Sequence, residues 1–153
     1  MADHQLRVLF LCTGNSARSQ MAEALLKHLT KGRIAAYSAG TAPAEDVHPI
    51  ARRTLQERYG IDPSPLAPKP MSHFVAEPFD YVITVCDRAA ESCPAFPGDT
   101  QRIHWSFQDP AAVQGDDAQR RAFESVASGL AGRLRLWLSL PRVRQALEHD
   151  GIR

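Results

Sequence analysis

Cys12 and Arg18 belong to the segment CTGNSARS, in which five residues separate the cysteine from the arginine. Between a strand and a helix, this spacing predicts a loop whose backbone N–H groups point inward and hold a tetrahedral oxyanion. Arg18 can bind two anion oxygens with its planar guanidinium, and Gly14 is expected to let the loop turn. The same positive field should make Cys12 a thiolate nucleophile, with a hydrogen bond from the Ser19 hydroxyl. The predicted anion-binding residues are Thr13, Gly14, Asn15, Ser16, Ala17, Arg18 and Ser19.

The alternative interpretation of this segment is a strand end, a turn and a capped helix that bury an inert thiol. Other phosphate-binding or metal-binding patterns are missing from the sequence. It contains no G-x-x-x-x-G-K-[ST] and no G-x-G-x-x-G motif. Its three cysteines and six histidines include no C-x-x-C or H-x-x-x-H spacing, so no metal site is predicted.

Two further cysteines, Cys86 and Cys93, make the total odd. An odd number without an export signal argues against a disulfide framework and favours reactive thiols, although a buried structural role is the common alternative. Cys86 directly follows the apolar segment 81–85. If that segment is a strand beside the one that precedes Cys12, the two thiols can approach each other.

The spacing of Cys86 and Cys93 constrains any disulfide between them. A helix over this segment would separate the two Cα atoms by roughly 10 Å, because each residue adds about 1.5 Å. A disulfide needs a separation of about 4.4–6.8 Å. The segment would therefore have to unwind or loop out, as expected of a redox switch, and Pro94 and Pro97 limit helix growth beyond it.

Hydrophobic periodicity predicts alternating strands and helices. This alternation indicates an α/β fold: one three-layer domain over residues 1–153, with a four-stranded parallel sheet and helices on both faces. The predicted strands are 6–11, 34–38, 81–85 and 102–107. The predicted helices begin at Ser19 and Pro49 and cover 123–138, with a kink or restart at Pro141, and residues 61–70 form a loop.

The composition excludes several classes of protein. Eighteen basic and 17 acidic residues give a formal net charge of +1, which argues against nucleic-acid binding and polybasic membrane attachment. No apolar run approaches the roughly 20 residues of a membrane helix, and the polar segment 1–7 does not resemble a signal peptide. We therefore expect a monomeric protein in the cytoplasm.

The sequence resembles the low-molecular-weight protein tyrosine phosphatase superfamily, and within it the thioredoxin-coupled arsenate reductases. The resemblance lies in LFLCTGNSARSQMAEALL and YSAG, then in VITVC followed by CP, and in HWSFQDPA. It runs from about Arg7 to the final helix and implies the fold of these phosphatases.

The resemblance also implies a mechanism and its participants. Asp109 would be the acid that protonates the leaving oxygen, where the residues alone favour a turn or cap aspartate. Cys12 would attack arsenate, Cys86 would attack the Cys12 sulfur to release arsenite, and Cys93 would resolve that disulfide. Thioredoxin would be the external reductant, and no cofactor would be bound. Phosphate and sulfate would compete with arsenate, a weak phosphatase activity could remain, and the role would be arsenical resistance.

Two positions depart from the family pattern. Ala17 replaces a cysteine of some relatives, which lies outside the relay. Asn15, Glu23 and Ser38 match three of four residues that hold a potassium ion in some reductases, whereas Lys69 stands at the fourth, aspartate, position. The Lys69 ammonium is expected to take the cation's place and support Asn15 and Ser38. The alternative is a solvated lysine.

Two other functions remain open from the sequence. A tyrosine phosphatase would use Cys12 alone, but such enzymes usually surround the phosphotyrosine ring with aromatic residues. Ala111 and Ala112 follow the Asp109-Pro110 pair, and residues 41–46 contain no aromatic residue either. A non-catalytic oxyanion-binding or redox-sensing module would keep the thiols without turnover.

Overall fold

The computed structural model describes residues 5–151, so the predicted domain limits at residues 1–4 and 152–153 lie outside the described residues. Strands and helices alternate along the chain, as predicted. The strands are β1 (Arg7–Cys12), β2 (Ala35–Gly40), β3 (Tyr81–Thr84) and β4 (Gln101–His104). The helices are α1 (Arg18–Thr30), α2 (Pro49–Tyr59), α3 (Asp87–Ser92), α4 (Asp116–Leu138) and α5 (Pro141–Gly151).

The four strands form one parallel sheet in the order β2-β1-β3-β4. This arrangement and the helices around it confirm the predicted α/β fold. In the register of the two central strands, Leu11 is opposite Thr84. Cys12 and Cys86 therefore both lie at the carboxyl edge of the sheet, where ligands of parallel sheets bind.

The central strands are buried on both faces. Residues 8–11 of β1 are completely inaccessible to solvent, as are Val82 and Ile83 of β3. Most of the apolar stripe of α4 is also buried, and its Trp137 ring packs edge-on against Tyr81 of β3 with centroids 5.1 Å apart. This core fixes the strand ends that carry the thiols.

The structure differs from the predicted elements mainly at helix and strand ends. Helix α4 begins at Asp116, seven residues before the buried stripe starts at Phe123. Its first turns are polar and partly exposed, so hydrophobic periodicity gave no signal there. Asp116 and Asp117 favour the helix start through the helix dipole. Strand β4 ends at His104 rather than at residue 107, and Pro141 starts the separate helix α5.

Within residues 5–151, no helix is long and apolar enough to span a membrane.

Candidate active site

The loop after β1 turns its carbonyl groups away from its concave side. Four of these carbonyls accept hydrogen bonds of 2.8–3.1 Å from N–H groups of the segment between β2 and α2. In a trans peptide the C=O and the following N–H point in opposite directions. The N–H groups of the loop therefore turn toward the concave side, which is the arrangement that binds oxyanions. The carbonyls belong to Cys12, Thr13, Gly14 and Ser16, and the donors to Thr41, Ala42, Ala44 and His48.

Asn15 makes the turn that the sequence assigned to Gly14. Its φ angle of 50° lies in the left-handed region, whereas that of Gly14 does not. Asparagine tolerates this region when its side chain is hydrogen-bonded. The buried Asn15 amide donates to the Ser19 hydroxyl at 2.8 Å and accepts from the Lys69 backbone N–H at 2.9 Å. The prediction for Gly14 is therefore wrong, because side-chain bonds rather than a missing Cβ stabilise the turn.

Ser19 is buried in the first turn of α1, but the bond described for its hydroxyl is to Asn15 and not the predicted one to Cys12. Ser19 therefore supports the loop through Asn15. Ser16 lies at the edge of the loop, where its hydroxyl donates to the Asp46 carbonyl at 3.3 Å. Ala17 is buried and precedes α1. A cysteine at that position would be equally enclosed.

Two residues that sequence reasoning missed also shape the loop. Gln20 is fully buried, and its amide nitrogen donates to both oxygens of Asn15 and to the Ala67 carbonyl. In the sequence, Gln20 could have been recognised as a polar residue on the apolar face of α1. Gly40 ends β2, where a Cβ would lie 2.6 Å from the Thr13 carbonyl oxygen. Only glycine allows this close approach.

Arg18 extends along the rim of the loop. One guanidinium nitrogen donates to the Phe107 carbonyl at 2.9 Å, and another lies 3.9 Å from the Asp109 carboxylate. Its Nε is buried and has no hydrogen-bond partner among the described residues. An unpaired buried donor of a charged group is costly, and an oxyanion in the loop would satisfy it.

Asp109 caps a short turn and also lies near Arg18. One carboxylate oxygen accepts from the Ala111 backbone N–H at 3.0 Å and caps a short 3-10 turn at Pro110–Ala112. The other faces Arg18, and the side chain is 46% exposed. The carboxyl group is thus held beside the anion loop while remaining open to solvent.

Cys12 and Cys86 are both buried, and each thiol shifts the pKa of the other. Hydrogen bonding with Cys12, with help from the Thr13 hydroxyl and the Ala89 backbone N–H, lowers the pKa of Cys86. The interaction with Cys86 and burial raise the pKa of Cys12, although Arg18 acts in the opposite direction. The two thiols therefore act as one coupled pair, and the Arg18 charge favours the thiolate form of each. The expectation of a Cys12 thiolate stays a prediction.

Cys93 lies at the opposite end of α3 from Cys86. It is partly buried and lines a cavity of about 160 Å³ together with Arg102 and His104. Burial raises the pKa of the Cys93 thiol, which the nearby Arg102 guanidinium offsets only in part. The structure thus brings Cys12 and Cys86 together and leaves Cys93 outside the anion loop.

The predicted supporting residues lie behind the loop. The buried Ser38 hydroxyl donates to Glu23 at 2.5 Å, and Lys27 binds the other oxygen of this carboxylate at 2.8 Å. The Lys69 ammonium donates to the Ala67 carbonyl at 2.8 Å and lies 3.8 Å from Glu23. Burial lowers the pKa of Lys69, and the Glu23 charge opposes that shift. Lys69 supports Asn15 through its backbone N–H and not, as expected, through its ammonium.

Among residues 5–151, no group of three or more histidine, cysteine or acidic side chains could hold a metal ion. The donors that converge on the loop are instead N–H groups and a guanidinium. This set suits an oxyanion.

Comparison with known proteins agrees with this geometry. A family model for low molecular weight phosphotyrosine protein phosphatases matches residues 7–150. The chain belongs to this family. It is 39% identical over 129 residues to an arsenate reductase of Halalkalibacterium halodurans, an alignment that covers 84% of this chain and 91% of the relative.

Solved structures of arsenate reductases have the same fold. One structure of an arsenate reductase in the phosphate-binding state is 31% identical, with a TM-score of 0.68, and the match covers 88% of this chain and 97% of the other. A thioredoxin-dependent arsenate reductase of Corynebacterium glutamicum is 33% identical, with a TM-score of 0.69. That match covers 91% of this chain and 63% of the other.

Proposed function

We propose that this family member reduces arsenate to arsenite through Cys12, Cys86 and Cys93 in turn, with thioredoxin as the external reductant. The observation that carries the proposal is the burial of Cys86 beside the anion loop, where it follows the strand next to β1 and its sulfur lies 3.3 Å from the Thr13 hydroxyl. A phosphatase of this fold needs one cysteine, whereas arsenate reduction needs a second thiol that can reach the first. The similarity to arsenate reductases supports the same conclusion.

Arsenate would bind in the concave side of the loop. The backbone N–H groups would hold its oxygens, and the unpaired Nε of Arg18 would donate a further charge-assisted bond. Phosphate and sulfate have the same tetrahedral shape and would compete for the loop. Neither would accept the electrons that the thiols supply.

In the first step the Cys12 sulfur attacks arsenic and an S–As bond forms. The proton of Cys12 must leave before or during this attack and pass to solvent, so that Cys86 is a thiolate when the second step begins. An oxygen of arsenate departs as water after protonation. Asp109 lies beside Arg18 at the rim of the loop and would supply that proton.

In the second step the Cys86 thiolate attacks the Cys12 sulfur. A disulfide forms between Cys12 and Cys86, the S–As bond breaks, and its electron pair reduces arsenic from the +5 to the +3 state. Arsenite then leaves. The Thr13 hydroxyl and the Ala89 backbone N–H lower the pKa of Cys86 and remain in place after Cys12 is bonded to arsenic, so they favour the thiolate that attacks.

In the third step Cys93 attacks Cys86, which releases Cys12 as a thiolate and leaves a disulfide between Cys86 and Cys93. No net oxidation occurs in this exchange. Helix α3 separates the two cysteines in the reduced protein, so it has to open for their sulfurs to meet. The dithiol of thioredoxin would then supply two electrons and two protons to restore both thiols.

The tyrosine phosphatase alternative has less support. Family membership and the Asp109 carboxyl are compatible with phosphate-ester hydrolysis. The residues that follow Asp109 are Pro110, Ala111 and Ala112, which provide no aromatic wall for a phosphotyrosine ring. We therefore expect only a weak phosphatase activity, on small aryl phosphates.

A coupled assay tests the proposal. Purified protein is mixed with thioredoxin, thioredoxin reductase and NADPH, and NADPH oxidation is followed after arsenate is added. Arsenate-dependent oxidation with stoichiometric arsenite is expected, and phosphate in place of arsenate should give none. Absence of arsenate-dependent oxidation, together with efficient hydrolysis of phosphotyrosine, would instead identify a phosphatase. Absence of both activities would indicate a sensing module.

A further inference from the structure

Hydrogen bonds tie the first residue of α3 to the neighbouring strands. A carboxylate oxygen of Asp87 lies 2.9 Å from Nε2 of His104, and Nδ1 of His104 lies 2.8 Å from the Thr84 hydroxyl. The Ser106 hydroxyl donates a longer bond of 3.4 Å to the same Asp87 oxygen. We refer to the hydrogen-bonded residues Thr84, His104 and Asp87 as the Thr84–His104–Asp87 chain. The proposed thiol chemistry uses none of these side chains.

The direction of the bond to Asp87 follows from the chemistry of the groups. A carboxylate only accepts hydrogen bonds, so His104 donates to Asp87 through Nε2. Nδ1 of the ring is at hydrogen-bond distance from the Thr84 hydroxyl, whose oxygen also lies 3.4 Å from the Ile103 carbonyl. The ring is therefore oriented at both nitrogens, and it links β3 to α3, the two elements that flank Cys86 in the chain.

One end of this chain is fixed and the other belongs to the segment that has to move. Thr84 is buried in β3, and His104 is its partner in the register of β4. Asp87 is the first residue of α3, and its side chain is 76% exposed. Helix α3 has six residues, and no side chain caps it at Cys86. A helix this short is unstable by itself in water, so contacts outside it must stabilise it.

We propose that Asp87 and His104 are positioning residues that hold the Cys86–Cys93 segment helical in the reduced protein and so set how readily these two thiols form a disulfide. The inference rests on the proposed relay, in which α3 opens during the third step. Opening moves Asp87 away from His104 and breaks their bond. The bond therefore favours the dithiol over the disulfide.

Variants that break the Thr84–His104–Asp87 chain should shift the equilibrium between the Cys86–Cys93 dithiol and its disulfide toward the disulfide. A Cys12→Ser background leaves only Cys86 and Cys93 able to pair, and Asp87→Ala and His104→Phe are compared within it. The ratio of disulfide to dithiol is measured at equilibrium with glutathione. We expect each variant to raise the ratio about two- to fivefold, which corresponds to the loss of one partly exposed hydrogen bond. The double variant should raise it no further than the stronger single one.

Glu91→Ala is the matched control. It also replaces a carboxylate of α3 with alanine, so it changes helix propensity in a similar way, but Glu91 lies outside the chain. It should leave the ratio unchanged or lower it slightly, since a negative charge near a helix C-terminus is unfavourable. Equal ratios for Asp87→Ala and Glu91→Ala, or additive effects of the Asp87 and His104 substitutions, would overturn the proposal.

Amide hydrogen exchange across residues 87–92 of the reduced protein gives a second, independent readout. The two chain variants should exchange about two- to fivefold faster than wild type, and the Glu91 variant should not. Failure of Cys86 and Cys93 to pair in every variant would contradict the relay. The exchange rates would then test the role of His104 independently of the relay, and unchanged rates would refute that role.

Discussion

The Thr13 hydroxyl oxygen lies 3.3 Å from the sulfur of Cys86. This contact joins the anion loop after β1 to the residue that follows β3. The hydroxyl of this anion-loop residue can therefore donate a hydrogen bond to Cys86, the thiol that is proposed to act second. The Thr13 hydroxyl can therefore influence the second step of the relay.

Removal of the Thr13 hydroxyl should slow the second step at mildly acidic pH. Its hydrogen bond helps to lower the pKa of Cys86, so Thr13→Val should raise that pKa by about one unit, the equivalent of one hydrogen bond. The Cys86 thiolate exists above its pKa, so the rate of the variant should begin to fall at a pH about one unit higher than that of the wild-type protein. Single-turnover arsenite release between pH 4.5 and 8 measures this shift. Thr13→Ser keeps the hydroxyl and should behave like wild type, whereas superimposable profiles for Val and Ser would remove the role of the bond.

Replacement of the nucleophile should abolish every reaction in the loop. Cys12→Ser is expected to lower both arsenate reduction and aryl-phosphate hydrolysis by at least about a thousandfold. Both activities are measured on the same preparation. Cys93→Ser is the matched control, because it should keep the phosphatase activity. Either activity surviving in the Cys12 variant would mean that another residue is the nucleophile.

Loss of Cys93 should stop the relay after one turnover. Cys93→Ser still has the Cys12 and Cys86 thiols, so it should release about one arsenite per protein and then remain as the Cys12–Cys86 disulfide. Rapid-quench arsenite measurement and mass spectrometry of the blocked protein check this outcome. Repeated turnover with thioredoxin would show that Cys93 has a structural role only.

The Lys69 ammonium should make the enzyme indifferent to potassium. It lies 3.8 Å from the buried Glu23 carboxylate, where some reductases of the superfamily hold a potassium ion. Exchange of potassium for sodium at constant ionic strength should hardly change the rate of the wild-type protein. Constant ionic strength is needed because screening would itself weaken anion binding by Arg18.

Lys69→Asp should create a dependence on potassium. The new carboxylate would face Glu23 and Ser38, and repulsion between the two acids favours a bound cation. Lys31→Asp makes the same charge change at an exposed position and should stay insensitive. Potassium stimulation of the wild-type protein, or none in the Lys69 variant, would contradict this account.

Most of the fold could be predicted from the sequence because its signals are local. The apolar segment 6–11 and the stripe from Phe123 to Leu138 have the periodicities of a buried strand and an amphipathic helix, and both elements are present. Helix α3 between Cys86 and Cys93 also agrees with the helical interpretation of that segment. The polar start of α4 was missed, since its residues are mostly polar and only partly buried and so give no apolar periodicity.

The anion loop was predictable in outline for the same reason: Cys12, Arg18 and the residues between them are contiguous, so their order alone places N–H groups around an anion. Their internal bonds were not predictable. Asn15 rather than Gly14 makes the turn, and its side chain contacts the backbone N–H of Lys69, 54 positions away. Such a bond depends on where a distant loop lies.

Only the tertiary structure decided that Cys12 and Cys86 act as a pair. The sequence places Cys12 and Cys86 at strand ends, but it does not state that β1 and β3 are neighbours. Once they are, each thiol shifts the pKa of the other, and the Thr13 hydroxyl and the Ala89 amide stabilise the thiolate of Cys86. A pKa depends on the donors and charges within a few ångströms. The chain contributes those groups from positions more than 70 residues apart, and only folding brings them together.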